Sequence, residues 1–318
     1  MKICIVTPAP RGSTQGNRIT AERWARLLRK LGHRVTISQD YRSQQVDLLI
    51  ALHARRSHLS IVRFRQRNPQ RPIVLALTGT DVYQDIHEES RARESLKLAN
   101  AIVVLQPHAL RELQPAERKR TQVIYQSQEP LSRLHESRPR ADFEVCVIGH
   151  MRPVKDPFRA AMAARRLPEH SRIRVIQIGG ALSKQMAERA RRETQINGRF
   201  RWLGELSRRR ALRVLSQSRL CVISSHLEGG ANALSEAIVM GVPVLASRIS
   251  GNTGILGEDY PGLFRAGETS ELAQLMLRAE TDRRFLAELR SRVARLAPRF
   301  QPAHERRAWT RLINELTA

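Results

Sequence analysis

The sequence predicts an α/β fold in which two doubly wound halves, each a parallel sheet with crossover helices, face a central cleft. Three observations carry that expectation. Short apolar runs alternate with amphipathic stretches along most of the 318 residues. The same plan repeats on either side of one polar segment. Hydrophobic residues make up 41% of the chain, enough for real cores, which excludes a disordered basic polypeptide. At roughly 100–200 residues per domain, the length fits two.

Residues 2–7 are the first strand candidate, followed by a loop rich in Gly, Ser and Pro over residues 8–16. Ile19, Trp24, Leu27, Leu28 and Leu31 then fall near helical spacing, and Gly32 is placed to end that helix. Residues 35–38, 46–52, 73–77, 101–105 and 122–125 are further strand candidates. Residues 131–142 are polar and show neither period, and are read as a linker. The second half offers strands at 144–148, 173–178, 201–203, 220–224 and 243–246. Its helical stretches are 157–166, 182–194, 208–217 and 233–240. From 271 to 316 the chain reads as nearly all helix, with a break around Pro298 to Pro302. The domains are expected at 1–140 and 141–302. A terminal helix, 303–318, carries Trp309, Leu312, Ile313 and Leu316 at helical spacing. It packs either on the first domain or in the core of the second.

The 55 Lys and Arg against 30 Asp and Glu give a net charge of +25. Such a balance raises nucleic acid as a partner. However, the excess is spread along the whole chain, only six of the 55 are Lys, and aromatic residues are 4%, leaving little to stack on bases. An anionic small-molecule substrate is the better use of that field, so no nucleic-acid partner is expected. Cys4, Cys146 and Cys221 lie far apart in short apolar runs, as buried strand residues do, and no metal-type Cys pairing exists. The longest strongly apolar stretch, residues 237–246, is far short of the ~18 residues of a spanning helix. Residues 3–6 are too short for a signal-peptide core of about 7–15. A cytoplasmic protein without stable membrane insertion is expected. The sequence leaves its oligomeric state open.

Ligands of doubly wound sheets bind beyond the carboxyl ends of the strands. The densest signal there is Ser224-Ser225-His226-Leu227-Glu228-Gly229-Gly230-Ala231-Asn232-Ala233-Leu234-Ser235-Glu236, running from a strand end into a helix. Its glycines allow close backbone approach, and the amides from about Gly230 to Leu234 form a helix N-terminus suited to phosphate. Glu228 before the helix and Glu236 about one turn inside it flank that terminus, which fits a ligand with hydroxyls on both sides of a diphosphate, such as a nucleotide sugar. The competing reading makes Glu236 a solvated helix residue and Glu228 a turn or cap residue. In the loop after the first strand of the same half, Gly149-His150-Met151-Arg152-Pro153-Val154-Lys155, Arg152 and Lys155 could bracket the diphosphate.

Residues 228–236, followed by Met240-Gly241-Val242-Pro243-Val244, resemble the Glu-x7-Glu signature of retaining GT-B glycosyltransferases related to glycogen and sucrose-phosphate synthases. Gly149 to Lys155 is similar to that family's donor-diphosphate loop. The resemblance implies a GT-B enzyme. It places Glu228 on the donor-sugar hydroxyls, Glu236 on the ribose, and Lys155 with the backbone of Gly229, Gly230, Ala231, Asn232, Ala233 and Leu234 on the phosphates. His150 stands where the family usually has Arg, which leaves open whether His150 or Arg152 fills that role.

The first-half segments Gly16-Asn17-Arg18-Ile19-Thr20-Ala21-Glu22, Leu52-His53-Ala54-Arg55-Arg56 and Leu77-Thr78-Gly79-Thr80-Asp81-Val82-Tyr83 narrow the match. With them the chain looks like the selenosugar synthases of selenoneine biosynthesis. That resemblance implies transfer of a sugar from a UDP-sugar, typically UDP-N-acetylglucosamine, to selenophosphate. On physical grounds Gly16 and Asn17 open a helix after a Gly/Ser-rich loop, Thr78, Gly79 and Thr80 follow a strand, and His53 and Arg55 follow another. These seven are the acceptor candidates, with ordinary turn and cap chemistry as the alternative for each.

As an expected mechanism, Lys155, Arg152 and the helix start near Ala231 stabilise the diphosphate leaving group as charge builds on it. No Asp-x-Asp motif exists, so transfer without a metal or other cofactor is expected. Selenophosphate is a strong nucleophile that hardly needs a base, which makes Glu228 a positioning group. The stereochemistry stays open. The rivals are a glycosyltransferase with a hydroxyl acceptor, a sugar-phosphate synthase or epimerase on the same fold, and a non-catalytic nucleic-acid-binding protein.

Overall fold

The computed structural model describes residues 1–129 and 141–317. They form two compact units, one of Met1–Ser127 with Pro302–Ala318 and one of Gln128–Gln301. Of the linker expected over 131–142, residues 131–140 lie outside the described residues.

The first unit runs β1 (Lys2–Val6), α1 (Gly16–Lys30), β2 (Arg34–Ser38), β3 (Leu48–Leu52), α2 (His58–Arg67) and β4 (Ile73–Leu77). After a 3-10 turn (Thr80–Val82) come α3 (Asp85–Glu88), α4 (Ser90–Leu98), β5 (Ala101–Val104), a second 3-10 stretch (Pro107–Glu112), α5 (Pro115–Arg118) and β6 (Thr121–Val123). The pairings are parallel and the strand order is β2-β1-β3-β4-β5-β6. A parallel sheet covered on both faces must be apolar on both, and alternate residues divide accordingly. Ile3 and Ile5 join a core with Trp24 and Leu28 of α1, while Cys4 and Val6 join one with Phe64 of α2. Helix α1 ends as its sequence demands. Arg29 and Lys30 lie in its last turn, where cations suit the dipole. Gly32 takes φ +88, and the His33 N–H donates back to the Leu28 carbonyl at 3.1 Å.

The second unit runs β7 (Phe143–Ile148), a 3-10 turn (Pro153–Lys155), α6 (Arg159–Ala164), β8 (Ile173–Ile178), α7 (Lys184–Ile196), β9 (Phe200–Trp202), α8 (Arg208–Gln217) and β10 (Leu220–Ile223). It continues with α9 (Asn232–Val239), β11 (Val244–Ser247), α10 (Ser250–Leu256), β12 (Leu263–Phe264), α11 (Thr269–Thr281) and α12 (Arg283–Leu296). The order is β12-β11-β10-β7-β8-β9, again parallel. Helix α10 and strand β12 have no counterpart among the sequence-predicted elements. The helical C-terminal stretch breaks once more than expected, at Asp282, whose carboxylate caps α12 by accepting from the Arg284 and Phe285 amides.

The last helix, α13 (Pro302–Thr317), returns to the first unit. Trp309 meets Trp24 edge-on at 4.8 Å, and the wholly buried Glu305 accepts from Trp24 Nε1 at 2.7 Å. Cys4, Cys146 and Cys221 are free and buried. Among the described residues no helix is long and apolar enough to cross a membrane.

Candidate active site

Loops diverge at the carboxyl ends of strands where the winding of a sheet reverses, and the crevice this leaves is where ligands bind. In the second unit the reversal falls between the neighbours β7 and β10. The loop after β7 carries Gly149, His150, Arg152 and Lys155; the loop after β10 carries Glu228, Gly229, Gly230 and Ala231. One ion pair, Lys155 Nζ to Glu228 Oε1, joins them. Ser225 Oγ donates to the same oxygen at 2.6 Å. The backbones are fastened as well. The His226 N–H donates to the Val154 carbonyl at 2.8 Å, and Ser224 Oγ donates to the Asp156 carbonyl at 2.8 Å.

Asp156 turns the chain just after Lys155 in the left-handed region, at φ +44. Aspartate tolerates that conformation better than most residues. Its carboxylate accepts from Arg159 Nε at 2.6 Å and stands 3.6 Å from His226 Nε2. Glu228 is buried. The residues behind it form a chain: Asn252 Nδ2 donates to the Ser247 carbonyl at 2.9 Å, and Ser247 Oγ donates to the Ser225 carbonyl at 2.5 Å. Gly251 closes the packing, because a Cβ at that position would lie 2.0 Å from the Glu228 carbonyl oxygen.

Helix α9 begins at Asn232 with Ala231 as its cap residue. The Leu234 and Ser235 amides turn back to the Ala231 carbonyl at 3.0 and 3.2 Å. Leu234, expected among the phosphate-facing residues, therefore commits its N–H within the first turn and buries its side chain. Gly229, Gly230, Asn232 and Ala233 remain around the open end. A pocket of about 30 Å³, lined by Gly149, His150, Lys155, Ser224, Glu228 and Ala233 among others, lies between the loops. That is room for roughly one water molecule. The Arg152 side chain is exposed, and its guanidinium makes no hydrogen bond or ion pair to the described residues. The His150 ring lies against Gly180, where a Cβ would stand 3.4 Å from Nδ1.

Glu236 is buried one turn into α9, and Arg208 Nη1 donates to its Oε1 at 2.8 Å. Arg208 Nη2 donates to Gln128 Oε1. The sequence does not single out Arg208, Gln128, Ser225 or Gly251. The one signal for Arg208 is its place soon after the end of β9.

In the first unit the winding reverses between β1 and β3. Gly16 and Asn17 open α1 in the loop after β1, with no side-chain cap from Gln15. His53, directly after β3, is buried at φ +76, a conformation that costs a non-glycine residue strain. Its Nε2 lies 3.7 Å from Asp85 Oδ2, the oxygen to which Arg55 Nε donates at 3.0 Å. Burial pulls the His53 pKa below its ordinary value, against the opposing pull of Asp81 and Asp85. Asp81 is fully buried and binds the two strand-end loops together, accepting from the Ala54 amide at 3.0 Å and the Gly79 amide at 2.8 Å. Thr80 starts the 3-10 turn, and Thr78 Oγ1 is buried without a hydrogen-bond partner among the described residues. His53, Arg55, Thr78, Gly79 and Thr80 are thus brought to one place, knit by two aspartates.

Among the described residues no group of three or more His, Cys, Asp or Glu is gathered that could hold a metal ion. No curated protein sequence matches the chain. Solved structures do, over nearly its full length. Anabaena HepE in complex with UDP is similar with a TM-score of 0.78 at 17% identity, covering 99% of this chain and 100% of that one. The same protein with UDP-glucose gives 0.76 at 17% identity, covering 100% and 99%. Sucrose-phosphate synthase from Thermosynechococcus elongatus gives 0.78 at 16% identity, covering 99% of each chain. These likenesses establish the fold as GT-B. The family model described as glycosyl transferases group 1 matches residues 132–299, which hold the Lys155 and Glu228 loops, and the chain belongs to that family.

Proposed function

We propose that this glycosyl transferase moves a sugar from a UDP-sugar, typically UDP-N-acetylglucosamine, to selenophosphate and so makes a selenosugar for selenoneine biosynthesis. The observation that carries the donor half is the Lys155–Glu228 pair beside the open end of α9, at the point where the sheet winding reverses. HepE, similar in fold, has been solved with UDP and with UDP-glucose, which supports a UDP-sugar donor.

The selenium nucleophile attacks the anomeric carbon while the bond from that carbon to the diphosphate oxygen breaks, and UDP leaves with the bonding pair. Lys155 passes from Glu228 to the diphosphate as its charge grows, joined by the first amides of α9 and by Arg152. Glu228 then faces the sugar hydroxyls and Glu236 the ribose. No metal or other cofactor takes part. Gly16, Asn17, His53, Arg55, Thr78, Gly79 and Thr80 bind the acceptor, and the resemblance of their segments to selenosugar synthases supports selenophosphate in that role. The +25 charge draws in these anionic substrates rather than nucleic acid.

The test is mass spectrometry of purified protein with UDP-N-acetylglucosamine, with and without freshly made selenophosphate. UDP release together with a product bearing the selenium isotope pattern is expected. UDP release without a selenium product would move the acceptor to an ordinary hydroxyl.

A further inference from the structure

Glu236 is the fifth residue of α9 and faces the interior of the second unit. Its charge reaches two buried thiols, helping to push Cys146 and Cys221 upward, although burial is the larger cause for both. A carboxylate in that setting needs a cation. Arg208, the first residue of α8, provides one. It is the first of three consecutive arginines and its side chain is nearly half exposed, yet it is clamped at both ends of its fork. One amino group donates to Glu236 Oε1 and the other to Gln128 Oε1. Gln128 is fixed in turn. Its Nε2 donates to Ser235 Oγ at 3.2 Å, and its own amide donates to the Phe300 carbonyl at 2.9 Å. The ring of contacts closes on α9 itself, because Ser235 precedes Glu236. A planar guanidinium can span two acceptors in this way, whereas an ammonium acts as a point charge.

We infer that Arg208 is a positioning residue for the nucleotide: with Gln128 it holds the Glu236 carboxylate in the orientation that accepts the ribose hydroxyls. The assignment rests on the reading above, in which Glu236 meets the ribose. A structural brace and a positioning residue differ in one respect. A brace affects every nucleotide alike, while a positioning residue for the ribose matters only when the hydroxyls are present.

Calorimetric titration of the full chain with UDP and with 2′,3′-dideoxy-UDP separates them. The wild-type protein is expected to bind UDP about tenfold more tightly than the dideoxy compound. Arg208→Ala should weaken UDP about tenfold, leave the dideoxy compound within about threefold, and so erase most of the discrimination. Arg208→Lys, which keeps the charge, and Gln128→Ala, which frees the fork, should lie between and carry the same comparison if Arg208→Ala does not fold. Variants that keep the wild-type discrimination, or that weaken both nucleotides equally, overturn the role of Arg208. A wild-type protein that binds UDP but ignores the ribose hydroxyls instead overturns the placement of Glu236, and a wild-type protein that binds no UDP overturns the donor reading.

Discussion

Lys155 and Glu228 meet with the lysine about a quarter exposed and the carboxylate about a tenth, so the pair is neither free in water nor sealed. Such a pair can exchange partners at modest cost, which suits a cation that must reach an incoming diphosphate. Lys155→Ala should lower turnover by about a hundredfold or more, as loss of one preorganised donor does elsewhere. Glu228→Gln keeps the shape, loses the charge, and should also cut turnover strongly. Initial rates of UDP release measure both, and near-wild-type turnover with normal donor affinity in Glu228→Gln would remove that residue from the site. His53 sets a pH dependence of a different kind. The unfolded chain binds a proton near pH 6.5, whereas the buried ring resists it. The native state therefore keeps its advantage above that pH and loses it as the pH falls. Melting temperature should drop between about pH 7.5 and 5.5, and less steeply in His53→Asn, since Asn accepts the left-handed backbone. His33, which burial also pulls downward, is common to both proteins and cancels in the comparison.

The elements show why some of this was readable in advance. Parallel strands buried on both faces read as unbroken apolar runs, so β3, β4, β5 and β10 stand out, while β7 and β8 show as mostly apolar runs interrupted by Glu144, Arg174 and Gln177. The glycines, acids and lysine of the two donor loops follow such strands and can be found from them. Helix α10 cannot. Ser250-Gly251-Asn252-Thr253-Gly254-Ile255-Leu256 has no apolar period and two glycines, and it holds its shape through tertiary bonds such as Asn252 Nδ2 to Ser247. Strand β12 spans two residues, below any pattern. Arg208 and Gln128 are invisible for a related reason. They lie 80 positions apart, so their meeting belongs to the fold rather than to any local spacing. Gly251 yields a prediction at this scale. In Gly251→Ala the new methyl collides with the Glu228 backbone, which is not a flexible target. The loop must shift, UDP affinity should fall about tenfold or more, and the melting point by a few degrees. Calorimetry and thermal melting check it.

At the scale of the whole molecule, the first unit depends on a helix that arrives from the far end of the chain. Glu305 of α13, itself fully buried, serves Trp24 Nε1, the Ser127 amide at 3.1 Å, the Ser127 hydroxyl and the partly exposed Arg23 at 3.4 Å. Removing it strands several buried donors and a cation together. Glu305→Ala should destabilise the protein by about 3 kcal/mol or more, visible in a denaturant titration as a lower midpoint at similar slope. Glu305→Gln, which can still accept, should cost less.

The return of α13 also fixes a sequence of events. The ribosome delivers Met1–Ser127 first, yet Trp24 and its neighbours keep an apolar face open until Trp309, Leu312 and Ile313 emerge. The intervening residues 128–301 form a second compact unit with a six-stranded sheet of its own. On the nascent chain the earlier-born half is thus the later one to finish, and any stall in translation before residue 302 leaves its hydrophobic flank to chaperones or to aggregation.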